Sequence, residues 1–109
     1  MERPLLVYTT FPNADIALAV GRELVAEKLA ACINVVPGMR SVYAWKGIIE
    51  TGEEVVAIVK TREGLRDQVG EALKARHPYE TPIILFLEVA GGHPATLEWL
   101  LGETGATRP

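Results

Sequence analysis

Soft and amide side chains are scarce in this chain. It has one cysteine (Cys32), one serine (Ser41), one glutamine (Gln68), two asparagines (Asn13, Asn34) and two histidines (His77, His93). A single cysteine excludes an intrachain disulfide and any Cys-x-x-Cys pair for metal or redox work. With 11 Lys and Arg against 14 Asp and Glu, the net charge is −3. The chain therefore lacks the basic footprint that general binding to nucleic acid or anionic membrane requires. No apolar run exceeds five residues, the length of Ile83 to Leu87, whereas a bilayer helix needs about 20. Met1-Glu2-Arg3-Pro4 opens the chain without a charged-then-apolar leader, and the expected location is the cytoplasm. Scarce Asn, Gln, Cys and Met beside abundant Glu is a thermophile-like balance, so heat resistance is expected.

What the chain has instead is apolar content. It is 49% hydrophobic over 109 residues, with a mean hydropathy of +0.17. That length fits one domain, residues 1–109. A chain of this size buries roughly 60–70% of its unfolded surface. The apolar content is high enough to suggest that partner chains cover part of the surface.

Leu5 to Tyr8 predicts a first strand and Thr9 to Pro12 a loop. Asn13 is placed to cap a helix, with Asp15 in its first turn. Ile16, Val20 and Leu24 recur every four residues and predict a helix from about Asp15 to Ala30. Ala31 to Val36 reads as strand two, broken at Pro37-Gly38 by a bulge or bend and resumed from Val42 to Ile49. One bent strand over Cys32 to Ile49 would extend ~55–60 Å at ~3.3 Å per residue. It would project beyond the body of the domain, which points to oligomerisation. Glu50 to Glu54 predicts the hairpin turn, and Val55 to Val59 a third strand buried on both faces. Thr61 predicts a cap for a second helix carrying Leu65, Val69 and Leu73, stopped by Pro78. Ile83 to Val89 is the fourth strand. Pro94 opens a short third helix with Leu97, Trp99, Leu100 and Leu101, and the tail Gly105 to Pro109 is expected to fray. The β-α-β-β-α-β order plus a short helix predicts an α+β, ferredoxin-like split βαβ fold: four antiparallel strands with two helices on one face.

Two stretches carry the chemistry. Arg76-His77-Pro78-Tyr79-Glu80-Thr81-Pro82 sets an imidazole, a phenol and a carboxylate between prolines that stiffen the backbone. Ser41-Val42-Tyr43-Ala44-Trp45-Lys46-Gly47 alternates Ser41, Tyr43 and Trp45 on one strand face. His77 reads either as a helix-end imidazole or as a copper or zinc ligand. Glu80 reads as a solvated acid or a second ligand. Tyr43 and Trp45 read as interface or core residues, or else as ligand-stacking residues. Lys60 reads as a solvated strand end or an anion partner. Cys32, among apolar neighbours, reads as a small buried hydrophobe, and His93 as a cap or an exposed residue, with metal binding the alternative. Other uses of the fold fit poorly. Strand three has no aromatics for RNA stacking, and Thr9 to Pro12 has no phosphate-cradling arginine. No activated nucleophile or acid-base pair appears, so binding is expected rather than catalysis.

Four motifs in order resemble the CutA divalent-cation tolerance proteins. They are Leu29-Ala30-Ala31-Cys32-Ile33-Asn34, Ser41 to Gly47, Lys60-Thr61, and His77-Pro78-Tyr79-Glu80-Thr81-Pro82, with Trp99 matching in the last helix. The resemblance runs from about Leu5 to Leu101. It implies a cytoplasmic ferredoxin-like homotrimer linked to copper and other divalent cations, and a likeness to the nucleotide-binding PII signalling proteins. In some bacterial members the copper ligands are a cysteine where this chain has Tyr8 and a His-His pair where it has Arg76-His77. Only His77 remains of the three.

The resulting expectation is a non-enzymatic homotrimer that binds Cu²⁺ or another divalent cation weakly, through His77 and Glu80. Tyr43, Trp45, Lys60 and Tyr79 are expected to line a cleft between subunits, and Cys32 and Trp99 to be structural. No organic cofactor, nucleic acid or membrane is implied. The alternative is a PII-like regulator that binds a small anionic metabolite or a protein partner in that cleft, with Lys60 pairing the anion.

Overall fold

A computed structural model describes residues 2–105. The elements follow the expected order: β1 (Pro4–Phe11), α1 (Ala14–Ala26), β2 (Cys32–Trp45), β3 (Ile48–Arg62), α2 (Arg66–Arg76), β4 (Ile84–Glu88) and α3 (Pro94–Gly102), with a single 3₁₀ turn, Glu63–Leu65, leading into α2. The sheet is four-stranded and antiparallel in the order β2-β3-β1-β4. This is the ferredoxin-like arrangement.

Strand periodicity explains where the core sits. Side chains alternate between faces, and Leu5, Val7 and Phe11 of β1 join Val55, Ala57 and Val59 of β3 on one buried face. Ala17, Val20 and Leu24 of α1 and Val69 and Leu73 of α2 pack on that face. Val55 to Val59 is thus buried on one face only, because Val56 and Ile58 are half-exposed on the other.

Local sequence accounts for the helix ends. Asn13 caps α1, its Oδ1 accepting from the Ile16 N–H at 2.9 Å. The helix stops at Ala26 rather than Ala30, because Lys28 turns into the left-handed region at φ 63°. The Leu29 and Lys28 N–H groups then donate to the Leu24 and Val25 carbonyls, at 2.9 and 3.1 Å. That is a Schellman motif built on lysine instead of glycine. His93 caps α3 through Nδ1, which accepts from the Ala95 N–H, with Pro94 in the first turn.

Thr61, expected to cap α2, stays in β3. Its hydroxyl donates to the Leu29 carbonyl at 2.7 Å, and α2 begins without a side-chain cap. Gly105, expected to fray, donates its N–H to the Lys28 carbonyl at 2.7 Å. The rest of the expected frayed tail, residues 106–109, lies outside the described residues.

The largest correction concerns the hairpin. The turn is Lys46-Gly47, both at positive φ (52° and 84°), as a type I′ turn requires. Glu50 to Glu54, read from sequence as the turn, lies within β3. The register shift between Val36 and Met39 confirms the bulge at Pro37-Gly38. The hairpin stretches the molecule to 48 × 25 × 22 Å, with a radius of gyration of 14.7 Å, against about 13 Å for a compact chain of this length.

The second sheet face carries neither α1 nor α2; at its Arg62 end the Arg62 guanidinium donates to the Leu101 carbonyl of α3 at 2.9 Å. Leu6, Tyr8, Val36, Val56, Ile58, Leu85 and Leu87 share it by register. Val36, Leu85 and Leu87 are 50, 54 and 46% exposed there.

Candidate functional site

His77 ends α2 as an extended residue (ψ 138°). The following Pro78 disfavours helical ψ at this position, and the chain turns the imidazole under β1. The ring is 9% exposed and stacks on Phe11 with centroids 4.4 Å apart. Pairing of β4 with β1 stops at Thr9↔Ile84, so Thr10 lies beyond the last β4 partner. His77 occupies that gap. Its Nε2 is 2.7 Å from the Thr10 carbonyl and 3.4 Å from Thr9 Oγ1. Its Nδ1 accepts from the Tyr79 N–H at 3.2 Å.

A nitrogen facing a carbonyl carries the proton, and one facing an N–H does not. The imidazole is therefore the neutral Nε2–H tautomer. Burial pushes its pKa below the ordinary value, against the opposing pull of the Thr10 carbonyl and the Glu54 charge.

Tyr79 lies against His77, ring centroids 4.9 Å apart, and donates its hydroxyl to Glu54 Oε2 at 2.7 Å. Burial first, then the Glu54 bond and charge, raise this phenol far above its usual pKa. The other Glu54 oxygen accepts from Ser41 Oγ at 2.8 Å. Opposite Glu54 is Met39, whose sulfur accepts from the Tyr8 hydroxyl at 3.6 Å. Further out, Tyr43 donates to its cross-strand partner Glu50 at 3.3 Å. Thus the loop after α2 is tied to the root of the long hairpin through one carboxylate.

Sequence reasoning missed Glu54. Assigning the turn to Glu50–Glu54 hid it among exposed acids. The signal was available, since Glu54, Val56, Ile58 and Lys60 keep strict alternation on one strand face.

The other expected residues scatter. Glu80 follows Tyr79 and is exposed. Lys60 shares the open face with Cys32 opposite it, but it lies six residues along β3 from Glu54, roughly 20 Å at ~3.3 Å per residue. Trp45 borders the hairpin turn, with Lys46 Nζ 5.7 Å from its ring centroid. Within this chain, then, the structure joins His77 and Tyr79 with Tyr43 nearby, and leaves Lys60 and Trp45 at opposite ends. Cys32 is not enclosed in the core; it is half-exposed on the open face and its sulfur accepts from Asn34 Nδ2 at 3.7 Å. Trp99 is 51% exposed, because the buried side of its short helix is taken by Leu100. Arg76 turns away from His77 and bridges Glu23 and Glu27 of α1 at 2.6 and 2.8 Å.

A closed metal site takes three or four donors. Among the described residues no group of three His, Cys, Asp or Glu side chains is placed to hold an ion, and both His77 nitrogens are engaged. The described donors of this chain do not fit a resident metal.

A family model described as CutA1 divalent ion tolerance protein matches residues 5–103. The chain is 43% identical over 100 residues to "Protein CutA 1, chloroplastic" of Oryza sativa subsp. japonica, covering 92% of this chain and 56% of that protein. It therefore spans little more than half the length of the plant relatives it matches. To the "Divalent-cation tolerance protein CutA" of Thermus thermophilus it is 39% identical over 105 residues, covering 96% of this chain and 100% of that one. The crystal structure of CutA1 from Oryza sativa aligns with a TM-score of 0.91 at 41% identity, over 96% of each chain. By the length of the family match and the identity of these relatives, this chain belongs to the CutA1 divalent ion tolerance protein family.

Proposed function

We propose that this chain works as a homotrimer in divalent-cation tolerance, binding Cu²⁺ weakly at the loop that carries His77 and Glu80, without catalysing a reaction. The observation that carries the reading is that one protomer is incomplete. Its open sheet face leaves Val36, Leu85 and Leu87 half-exposed, and a long hairpin projects from the body. An apolar edge of this kind is an aggregation liability unless another copy covers it. Three-fold closure and the preference for copper follow from the family resemblance. The nitrogen and oxygen donors at hand suit Cu²⁺ better than Zn²⁺ by the Irving–Williams order. No described helix is long and apolar enough to cross a membrane, and we place the protein in the cytoplasm.

Anion binding near Glu54 is the weaker reading. A carboxylate sits at the centre of the cluster, and Lys60 lies far along the strand.

Two measurements test the proposal. Sedimentation at micromolar concentration should give a trimer, and a stable monomer refutes the assembly. Calorimetry with CuSO₄ should give micromolar or weaker affinity that His77→Ala abolishes. Binding indifferent to His77 refutes the site.

A further inference from the structure

The long hairpin leaves the sheet at a definite line. β1 last pairs with β3 at Phe11↔Val55, so Glu54 is the first β3 residue beyond β1. β2 slips register at the same level, between Val36 and Met39, where Gly38 sits at φ 88°. A bulge bends its strand and disrupts the ladder locally. Residues 39–54 are therefore a two-stranded ribbon hinged on a bulge, and such a ribbon has little stability of its own. Among the described residues, two side-chain hydrogen bonds cross the hinge line. Tyr8 donates to the Met39 sulfur at 3.6 Å, a weak acceptor. Tyr79 donates to Glu54 Oε2 at 2.7 Å, and a bond to a charged acceptor is the stronger kind. Both ends of the Tyr79 bond are held. On the body side, the Tyr79 N–H donates to His77 Nδ1 at 3.2 Å, and that ring stacks on Phe11. On the hairpin side, Ser41 Oγ donates to the other Glu54 oxygen at 2.8 Å.

We propose that Tyr79 and Glu54 form an elbow lock that sets the inclination at which the hairpin leaves the sheet. Beyond the lock the ribbon is apolar on both faces. Val42 and Ile49 lie on one face, and Tyr43, Trp45 and Ile48 on the other; all five are exposed. Two apolar faces call for two neighbours, so the inclination decides whether both are met at once. From Glu54 to Ile48 the ribbon is roughly 20 Å long at ~3.3 Å per residue, and a tilt of about 10° at the hinge moves its tip by roughly 3–4 Å. That is a full contact distance between carbon atoms. The docking role rests on the proposed assembly of copies; the lock itself does not.

Tyr79→Phe is the decisive variant, because it keeps the ring against His77 and removes the hydroxyl. Hydrogen exchange on the full chain should show the amides of residues 39–54 exchanging about tenfold faster, the change in equilibrium for one lost bond to a charged acceptor. The amides of β1 and of Val55 to Arg62 should keep their wild-type rates. Sedimentation should show the assembly dissociating at about tenfold higher protein concentration than wild type. Glu54→Gln, which keeps an acceptor but loses the charge, should move both readouts the same way by less. In a Glu54→Ala background, Tyr79→Phe should bring no further acceleration. Unchanged exchange in residues 39–54, acceleration spread equally over β1 and the body of β3, or a full Tyr79→Phe effect in the Glu54→Ala background overturns the lock. A loosened hairpin with unchanged dissociation overturns its docking role. A monomeric wild type whose hairpin still loosens in Tyr79→Phe upholds the lock and refutes the assembly.

Discussion

Replacing His77 tests whether this imidazole is a surface ligand or part of the fold. His77→Ala removes the donor to the Thr10 carbonyl, which is buried at the end of β1. An orphaned buried acceptor costs about 1–3 kcal/mol. The substitution also removes the stack on Phe11, at 4.4 Å, worth about 0.5–1.5 kcal/mol beyond burial. The expected loss is about 2–4 kcal/mol, a large share of the ~5–15 kcal/mol typical of a folded domain. His77→Phe keeps a ring on Phe11 but not the hydrogen bond, so it should cost about 1–3 kcal/mol. Urea unfolding at fixed protein concentration measures both. A loss below about 0.5 kcal/mol in His77→Ala, the range of ordinary surface substitutions, refutes the reasoning. The pH dependence gives a second check. Burial lowers the folded pKa of His77, so the unfolded chain binds its proton first as pH falls. The neutral ring's contribution is complete above the unfolded value, near 6.5, and is lost as pH falls from there through the lowered folded value. In His77→Phe that part of the pH dependence should vanish. Equal slopes in the two proteins below pH 6.5 would sink the tautomer assignment.

Gly21 sits where α1 crosses β2, and a Cβ there would come within 2.2 Å of Ile33 Cγ2. Gly21→Ala should destabilise by about 1–3 kcal/mol through overpacking, less the ~0.5–1 kcal/mol by which Ala favours a helix. In an Ile33→Ala background the same change should be neutral or stabilising, which a double-mutant cycle in urea reads directly. The intact protein should melt above about 60 °C, near the top of the mesophile range, and calorimetric scans at several protein concentrations check this. Melting that begins below that temperature counts against the heat resistance expected from composition.

Strand and helix identity was written locally in this sequence. Asn13, Pro94 and the every-fourth-residue apolar pattern act within one helical turn, and each appears where composition placed it. The bulge at Pro37-Gly38 is legible for the same reason, since Gly38 alone meets the demand for φ 88°. The motifs around Ser41 and His77 were also readable, and with them the family. Tertiary structure decided matters that depend on residues far apart. The hairpin turn fell at Lys46-Gly47 because cross-strand register outweighed the turn-like Thr51-Gly52. Lys28 took a left-handed backbone because Leu29 and Ala30 had to leave the helix to reach β2. Glu54 became the centre of the site only when β3 was seen to extend back through it, bringing its carboxylate to Tyr79 across 25 residues. His77 changed from a helix-end side chain to a buried neutral ring because β4 ends short of Thr10 and leaves a carbonyl to fill. A sequence specifies donors and acceptors one residue at a time, whereas which of them remain free for a ligand depends on which distant partner reaches each one first.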